Sequence, residues 1–234
     1  MFVEATVVST TDVTPDCKQF VLSLPDGESW EGEPGNHTVI RRENGDARPY
    51  SVLTHNGNQA VFMIRAYDVD GVADYVHNQG VGDTIEVNPT LRGNLHLQNE
   101  NRPIVLIGTG TGLTPLIGIL HEYLERGSEE ALFLFGEKNK EQLMYKAMLE
   151  QLEVLNPLEA RFSLSREEWS GHEGYAQEQL DSIVADYGAD ADYYICGVPP
   201  AVVGGKEKLR ELGVPEERIH SEGWEESQVE QTEE

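Results

Sequence analysis

Positive charge is scarce in this 234-residue chain: 17 Lys and Arg stand against 42 Asp and Glu, a net charge of −25 at pH 7. Such a balance excludes nucleic acid and anionic membranes as partners, because both need cationic patches. Cysteine is nearly absent. Cys17 and Cys196 lie far apart, so neither a disulfide framework nor a four-cysteine zinc or iron–sulfur site can be built. The seven histidines show no paired ligand spacing and no Ser-His-Asp elbow occurs, which sets aside metal and hydrolytic chemistry. The N-terminus, MFVEATVVST, lacks the basic and apolar regions of a signal peptide, and a cytoplasmic protein is expected. The one long uncharged stretch, Pro103 to Leu120, contains Gly108, Gly110, Gly112, Gly118 and Pro115. These make a poor membrane helix, so no membrane insertion is expected and the stretch reads as strand, tight loop, then helix.

What is present is the composition of a globular protein, 38% hydrophobic and 8% aromatic, long enough for one large domain or two small ones. The carboxylates are spread evenly and Arg outnumbers Lys. This resembles halophilic proteins from salty cytoplasm, where a Debye length of roughly 3 Å at 1 M mutes self-repulsion. An ordinary acidic protein with a solvated tail is the other reading.

Apolar and polar residues alternate in short runs through the first hundred positions. Phe2–Ser9, Gln19–Leu24, Thr38–Arg41, Tyr50–Thr54, Ala60–Arg65 and Thr84–Val87 are candidate strands, with a short helix at Val72–Asn78. Pro25-Asp26-Gly27 and Asn44-Gly45-Asp46 punctuate them as turns. Such a set closes into a small antiparallel Greek-key β-barrel. After Pro103 the pattern becomes buried runs at Ile104–Ile107, Ala131–Phe135, Ala160–Leu164 and Tyr193–Cys196. They alternate with helices expected at Pro115–Arg126, Lys140–Leu152, Gln177–Tyr187 and Pro200–Leu212, which predicts a Rossmann-like parallel α/β domain. The boundaries expected are 1–100, 101–226 and an acidic tail at 227–234.

Three motifs stand out. Ile107-Gly108-Thr109-Gly110-Thr111-Gly112-Leu113-Thr114-Pro115 runs from a strand through a glycine-rich turn into a helix. Glycines let the backbone approach a ligand, Thr114 can cap, Pro115 suits a first helical position, and the amides so freed suit a diphosphate. A turn that merely packs tightly is the alternative, and the spacing is not G-x-G-x-x-G. Arg48-Pro49-Tyr50-Ser51 offers a cation, an aromatic plate and a hydroxyl in one extended segment. Cys196-Gly197-Val198-Pro199-Pro200 follows a late buried strand.

In this order, from Phe2 to Trp224, the motifs resemble the ferredoxin–NADP reductase superfamily. The resemblance implies a flavin held by the first motif, Arg48 to Ser51 with Pro49 among the cofactor-binding residues: Arg48 on its phosphate, Tyr50 stacked on the isoalloxazine, and Ser51 hydrogen-bonded near N5. Ile64, Arg65, Gly71, Val72 and Ala73 are similar to the second flavin segment, although Asp74 replaces the usual Ser or Thr. Gly110, Thr111, Gly112 and Thr114 would cradle the nicotinamide nucleotide, Ser165 and Arg166 would grip a 2′-phosphate, and Tyr175 would stack on adenine. Cys196 and Gly197 would lie against the nicotinamide. Glu222 would be the terminal carboxylate, and Trp224 the aromatic that covers the flavin. Ser51, Cys196 and Glu222 are thus the expected catalytic residues.

The family likeness further implies FAD, with FMN as an alternative, and NADPH rather than NADH. Electrons would leave singly to ferredoxin or another external carrier, since this chain can hold no cluster of its own. Two other readings of the resemblance remain: an NAD(P)H:flavin reductase that uses free flavin as substrate, and an electron-transfer subunit of an oxygenase or hydrogenase complex.

Overall fold

A computed structural model describes residues 1–67, 70–126 and 129–223. The alternating first part of the chain forms six antiparallel strands: β1 (Val3–Thr14), β2 (Cys17–Ser23), β3 (His37–Arg41), β4 (Ala47–Asn56), β5 (Gln59–Arg65) and β6 (Thr84–Val87). They close into a barrel in the order β1-β2-β5-β4-β3-β6. Every second residue turns inward, so Ala5, Val7, Phe20, Leu22, Phe62, Ile64, Ile85 and Val87 share one dry core. The first strand outruns the expected Phe2–Ser9. A register shift between Val7 and Ser9 breaks the alternation on which that shorter reading rests, while pairing with β2 continues to Thr14. The helix α1 (Val72–His77) inserts Val72 and Val76 into the same core.

The second part forms a six-stranded parallel sheet: β7 (Ile104–Thr109), β8 (Ala131–Glu137), β9 (Leu158–Leu164), β10 (His172–Glu173), β11 (Asp192–Cys196) and β12 (Ile219–His220). Its order is β10-β9-β8-β7-β11-β12. The helices α2 (Leu113–Arg126) and α3 (Lys146–Leu155) pack on one face. On the other lie α4 (Leu180–Tyr187) and α5 (Pro199–Glu211). The strands are apolar on both sides because both faces are covered.

The single helix expected at Lys140–Leu152 is split into a 3₁₀ turn, Lys140–Gln142, and α3. Tyr145 interrupts it with a left-handed φ of 54°. Its hydroxyl donates to Gln19 and lies 3.4 Å from Met63 Sδ. Periodicity carries no record of a contact made across to the barrel.

The two halves share a core. Cys17, Leu53, Met63 and Leu95 from the first half lie in one buried cluster with Leu113, Leu116, Ile117 and Leu120 of α2. Gly118 permits this seating: a Cβ there would lie 2.8 Å from the Leu53 carbonyl oxygen and 3.1 Å from the Gly35 amide. Beside it Arg65 bridges the halves, its guanidinium 3.4 Å from Asp16 and 2.8 Å from both Glu137 and Gln142.

Burial pushes the Cys17 thiol from its ordinary 9.0 up to about 12, against the opposing pull of Arg65. The protonated thiol is therefore the form that folding favours. Its contribution to stability is fully present below pH 9 and is lost as pH rises toward 12. Iodoacetamide at pH 9 should leave Cys17 unmodified in the native protein and alkylate it fully in denaturant. Equal rates by mass-spectrometric mapping would contradict this burial.

Candidate functional site

The strand order reverses between β7 and β11, because α2 carries the chain from β7 toward β8 while α4 returns it to the opposite side. At such a switch point the loops after two adjacent parallel strands diverge and leave a crevice at their carboxyl ends. The loops here are Gly110–Gly112 after β7 and Gly197–Val198 after β11. Gly110 takes φ +57°, and a Cβ on Gly112 would overlap the Cys196 carbonyl. The Val198 amide donates to Thr109 Oγ1 at 3.1 Å and locks the two loops together.

Facing them across a crevice of about 1480 Å³ is the rim of the barrel. Arg48, Pro49, Tyr50 and Ser51 of β4 line it, with Arg65, Gly71, Val72 and Ala73. Opposite are Gly110, Thr111, Gly112, Thr114, Ser165, Arg166, Tyr175, Cys196 and Gly197. Burial pushes the Tyr50 hydroxyl above its ordinary range, with Arg48 pulling the other way. Tyr175 is exposed at the outer end.

Three expected details differ. Thr114 is no cap: the 3₁₀ turn Gly110–Gly112 begins the helical run earlier, with Thr109 at its N-cap, and Thr114 falls inside α2. Its Oγ1 is buried beside the crevice with no hydrogen-bond partner. Ile64 points into the barrel core and does not line the crevice, because strand alternation sends it opposite to Arg65. Glu222 also lies off the crevice. Its carboxylate accepts from the Asn94 amide at 3.2 Å and stands 3.6 Å from His37 Nδ1, and His37 is the β3 partner of Ser51. The carboxylate is held there by β12, which buried Asp192 fastens through Arg218 and His220 at 3.4 and 3.1 Å. Trp224 and the tail at 227–234 lie outside the described residues.

Asp74 turns away from the crevice, its carboxylate 3.4 Å from Asn78 Nδ2, one helical turn on. Asp70 does line the crevice, where Arg42 neutralises it at 2.8 Å.

Sequence reasoning missed Lys138. It is exposed, lines the crevice, and is tied to the Arg166 strand end by its carbonyl, which accepts from the Arg166 amide at 2.9 Å. The signal was available: Lys138 is the first residue after β8, at the same carboxyl-end level as the glycine loop and Ser165. Among the described residues six cations pair with no carboxylate: Lys18, Arg92 and Arg102 away from the crevice, and Arg48, Lys138 and Arg166 lining it, whereas Arg41, Arg126, Arg161 and Lys208 are paired with Glu86, Glu122, Glu159 and Asp181. In so acidic a protein, three such cations converging on one crevice suit an anion there.

The site fits two nucleotide cofactors. Gly110 and Gly112 let the loops after β7 and β11 close on each other at the crevice wall, Thr114 has a hydroxyl without a partner, Arg48 a guanidinium without a carboxylate, and Tyr50 a flat ring.

Residues 106–207 match the oxidoreductase NAD-binding domain family. That match, the barrel-plus-sheet fold and the order of its motifs are similar to those of the ferredoxin–NADP reductase superfamily, and they support a flavin-dependent oxidoreductase that acts in electron transfer and binds FAD and NAD(P). Ferredoxin–NADP reductase B of Sorangium cellulosum is 29% identical, over 94% of this chain and 96% of that protein. Bos taurus cytochrome b5 reductase 4 is 26% identical over 92% of this chain, which spans only 46% of it. The crystal structure of the Amycolatopsis cytochrome P450 reductase GcoB superposes with a TM-score of 0.84 at 25% identity, covering 95% of this chain and 69% of that one. Among the described residues no group could hold a metal ion, and no helix is long and apolar enough to cross a membrane.

Gly112→Ala tests the loop geometry directly. The added methyl must displace the Cys196 carbonyl, an overpacking expected to lower the melting temperature by about 5 °C. NAD(P)H binding should weaken at the same time. A variant that melts and binds as the parent does would show that the loops are not in contact.

Proposed function

We propose that this chain is an NADPH-dependent flavoenzyme that delivers electrons singly to an external carrier, a ferredoxin in the first instance. In this reading residues 1–100 hold FAD and residues 101–226 hold NADPH. The observation that carries it is the placement of the unpaired cations: Arg48 at the barrel end of the crevice, Lys138 and Arg166 at the far end. One suits the flavin's diphosphate, for which the first turn of α1 supplies further amides without intrahelical partners. That second phosphate contact favours FAD over FMN. The other two suit the 2′-phosphate that separates NADPH from NADH.

Bound flavin would supply the chemistry, accepting a hydride and releasing single electrons. The protein's own work is placement. Tyr50 presents a ring to the isoalloxazine, and Ser51 presents its hydroxyl next to it. Cys196 and Gly197 back the nicotinamide, and the tied loops after β7 and β11 hold the two rings in contact and keep water out. We further infer that Glu222 acts through His37 and the β3–β4 pairing, orienting Ser51 rather than touching the cofactors. The relative named as a ferredoxin–NADP reductase supports the carrier assigned here.

Arg166→Ala should raise KM for NADPH by about tenfold, the low end for a lost charge-assisted contact at an exposed side chain, and spare NADH. Equal effects on both would remove the case for 2′-phosphate selectivity. Arg48→Ala should purify with less than half the yellow cofactor of the parent. Full retention would contradict the flavin assignment.

A further inference from the structure

Arg166 is followed at once by two acids, Glu167 and Glu168. A carboxylate so close would compete with a 2′-phosphate for the Arg166 guanidinium and repel the phosphate itself. In the fold Glu167 does neither. Its Oε2 accepts the backbone amide of Lys140 at 2.8 Å, and its Oε1 lies 3.0 Å from the Lys140 ammonium. The ammonium also reaches the Glu168 carbonyl at 3.4 Å. The Glu167 carboxyl is held below its ordinary range, by the amide first and the ammonium second. Arg166 and Ser165 line the crevice; Glu167 does not.

We propose that Lys140 is a positioning residue for nucleotide selectivity: it draws Glu167 out of the phosphate end of the crevice and leaves Arg166 and Lys138 to an incoming dianion. This rests on the reading of that end as the NADPH site. The latch belongs to the split seen after β8. Lys140 opens the 3₁₀ turn capped by Asn139, whose Oδ1 accepts from the Gln142 amide at 3.2 Å, so the Lys140 amide is a turn-start donor without a partner of its own. A continuous helix would place that amide elsewhere. Surface ion pairs add little to stability, so the pair's effect is on charge near the ligand and not on folding.

Lys140→Pro removes both donors at once. Asn139 already holds φ −151° and ψ 172°, the extended conformation required before proline, and proline is tolerated at the first position of a helical turn. The test is calorimetric binding of 2′,5′-ADP and of 5′-AMP at low salt. Their affinity ratio isolates the 2′-phosphate without turnover. Lys140→Pro should weaken 2′,5′-ADP by about five- to tenfold and leave 5′-AMP unchanged. Adding Glu167→Gln should restore the parent ratio, which a merely structural role for Lys140 would not do. Should the proline variant melt early, Lys140→Gln keeps the amide and should weaken 2′,5′-ADP by about two- to threefold, again reversed by Glu167→Gln. An unchanged ratio, or a loss that Glu167→Gln does not reverse, overturns the latch. Arg166→Ala separates the two levels. If it collapses the ratio and the Lys140 variants do not, only the latch fails; if it leaves the ratio untouched, the phosphate site is misplaced and the latch falls with it.

Discussion

The site depends on how closely α2 approaches the barrel. Gly118 brings the helix backbone against the Leu53 carbonyl and the Gly35 amide, at distances no side chain would allow. The surrounding residues of both halves then bury one another in a common cluster. Each large apolar side chain buried there contributes about 1.5–3 kcal/mol. That approach fixes the width of the crevice, since α2 begins at the glycine loop and β4, which ends beyond Leu53, begins with Arg48 to Ser51. Arg65 pins the same joint from the side, bound to acids of both halves. Its guanidinium also borders Gly110, where it braces the glycine loop.

Charge acts on this frame by subtraction. With an excess of 25 negative charges, carboxylates are never far from a cation, and most cations here are paired with one. Arg48, Lys138 and Arg166 are left to the crevice by local geometry: strand ends that point into a gap, with the nearest acids drawn off by Arg42, Arg65 and Lys140. A low-dielectric cleft between two folded lobes strengthens whatever field those three retain.

Most of this was legible in the residue order. Strand alternation marked the barrel, and Thr84–Val87 was read to the residue because nothing interrupts its period. The glycine loop announced itself through residues that only a close approach requires. What was not legible came from contacts between segments distant in sequence. The bulge after Val7 and the left-handed Tyr145 both follow from pairing or packing that local pattern does not encode, whereas the inward turn of Ile64 follows from strand alternation and departs only from the resemblance. Lys138 was hidden because its meaning depends on lying at the same sheet end as residues about 30 positions on either side, a consequence of parallel crossovers. Glu222 was placed by resemblance at the reacting centre, whereas in the structure it lies off the crevice against His37 and Asn94, contacts between segments far apart in sequence.

The proposed hydride transfer requires direct contact between two cofactor rings in the crevice. Anaerobic stopped-flow mixing of flavin-loaded protein with NADPH measures that contact most directly. Stacked rings predict a transient long-wavelength charge-transfer absorbance followed by complete bleaching of the flavin in a single phase. Protein that binds flavin and NADPH yet shows neither the transient nor the bleaching would contradict it.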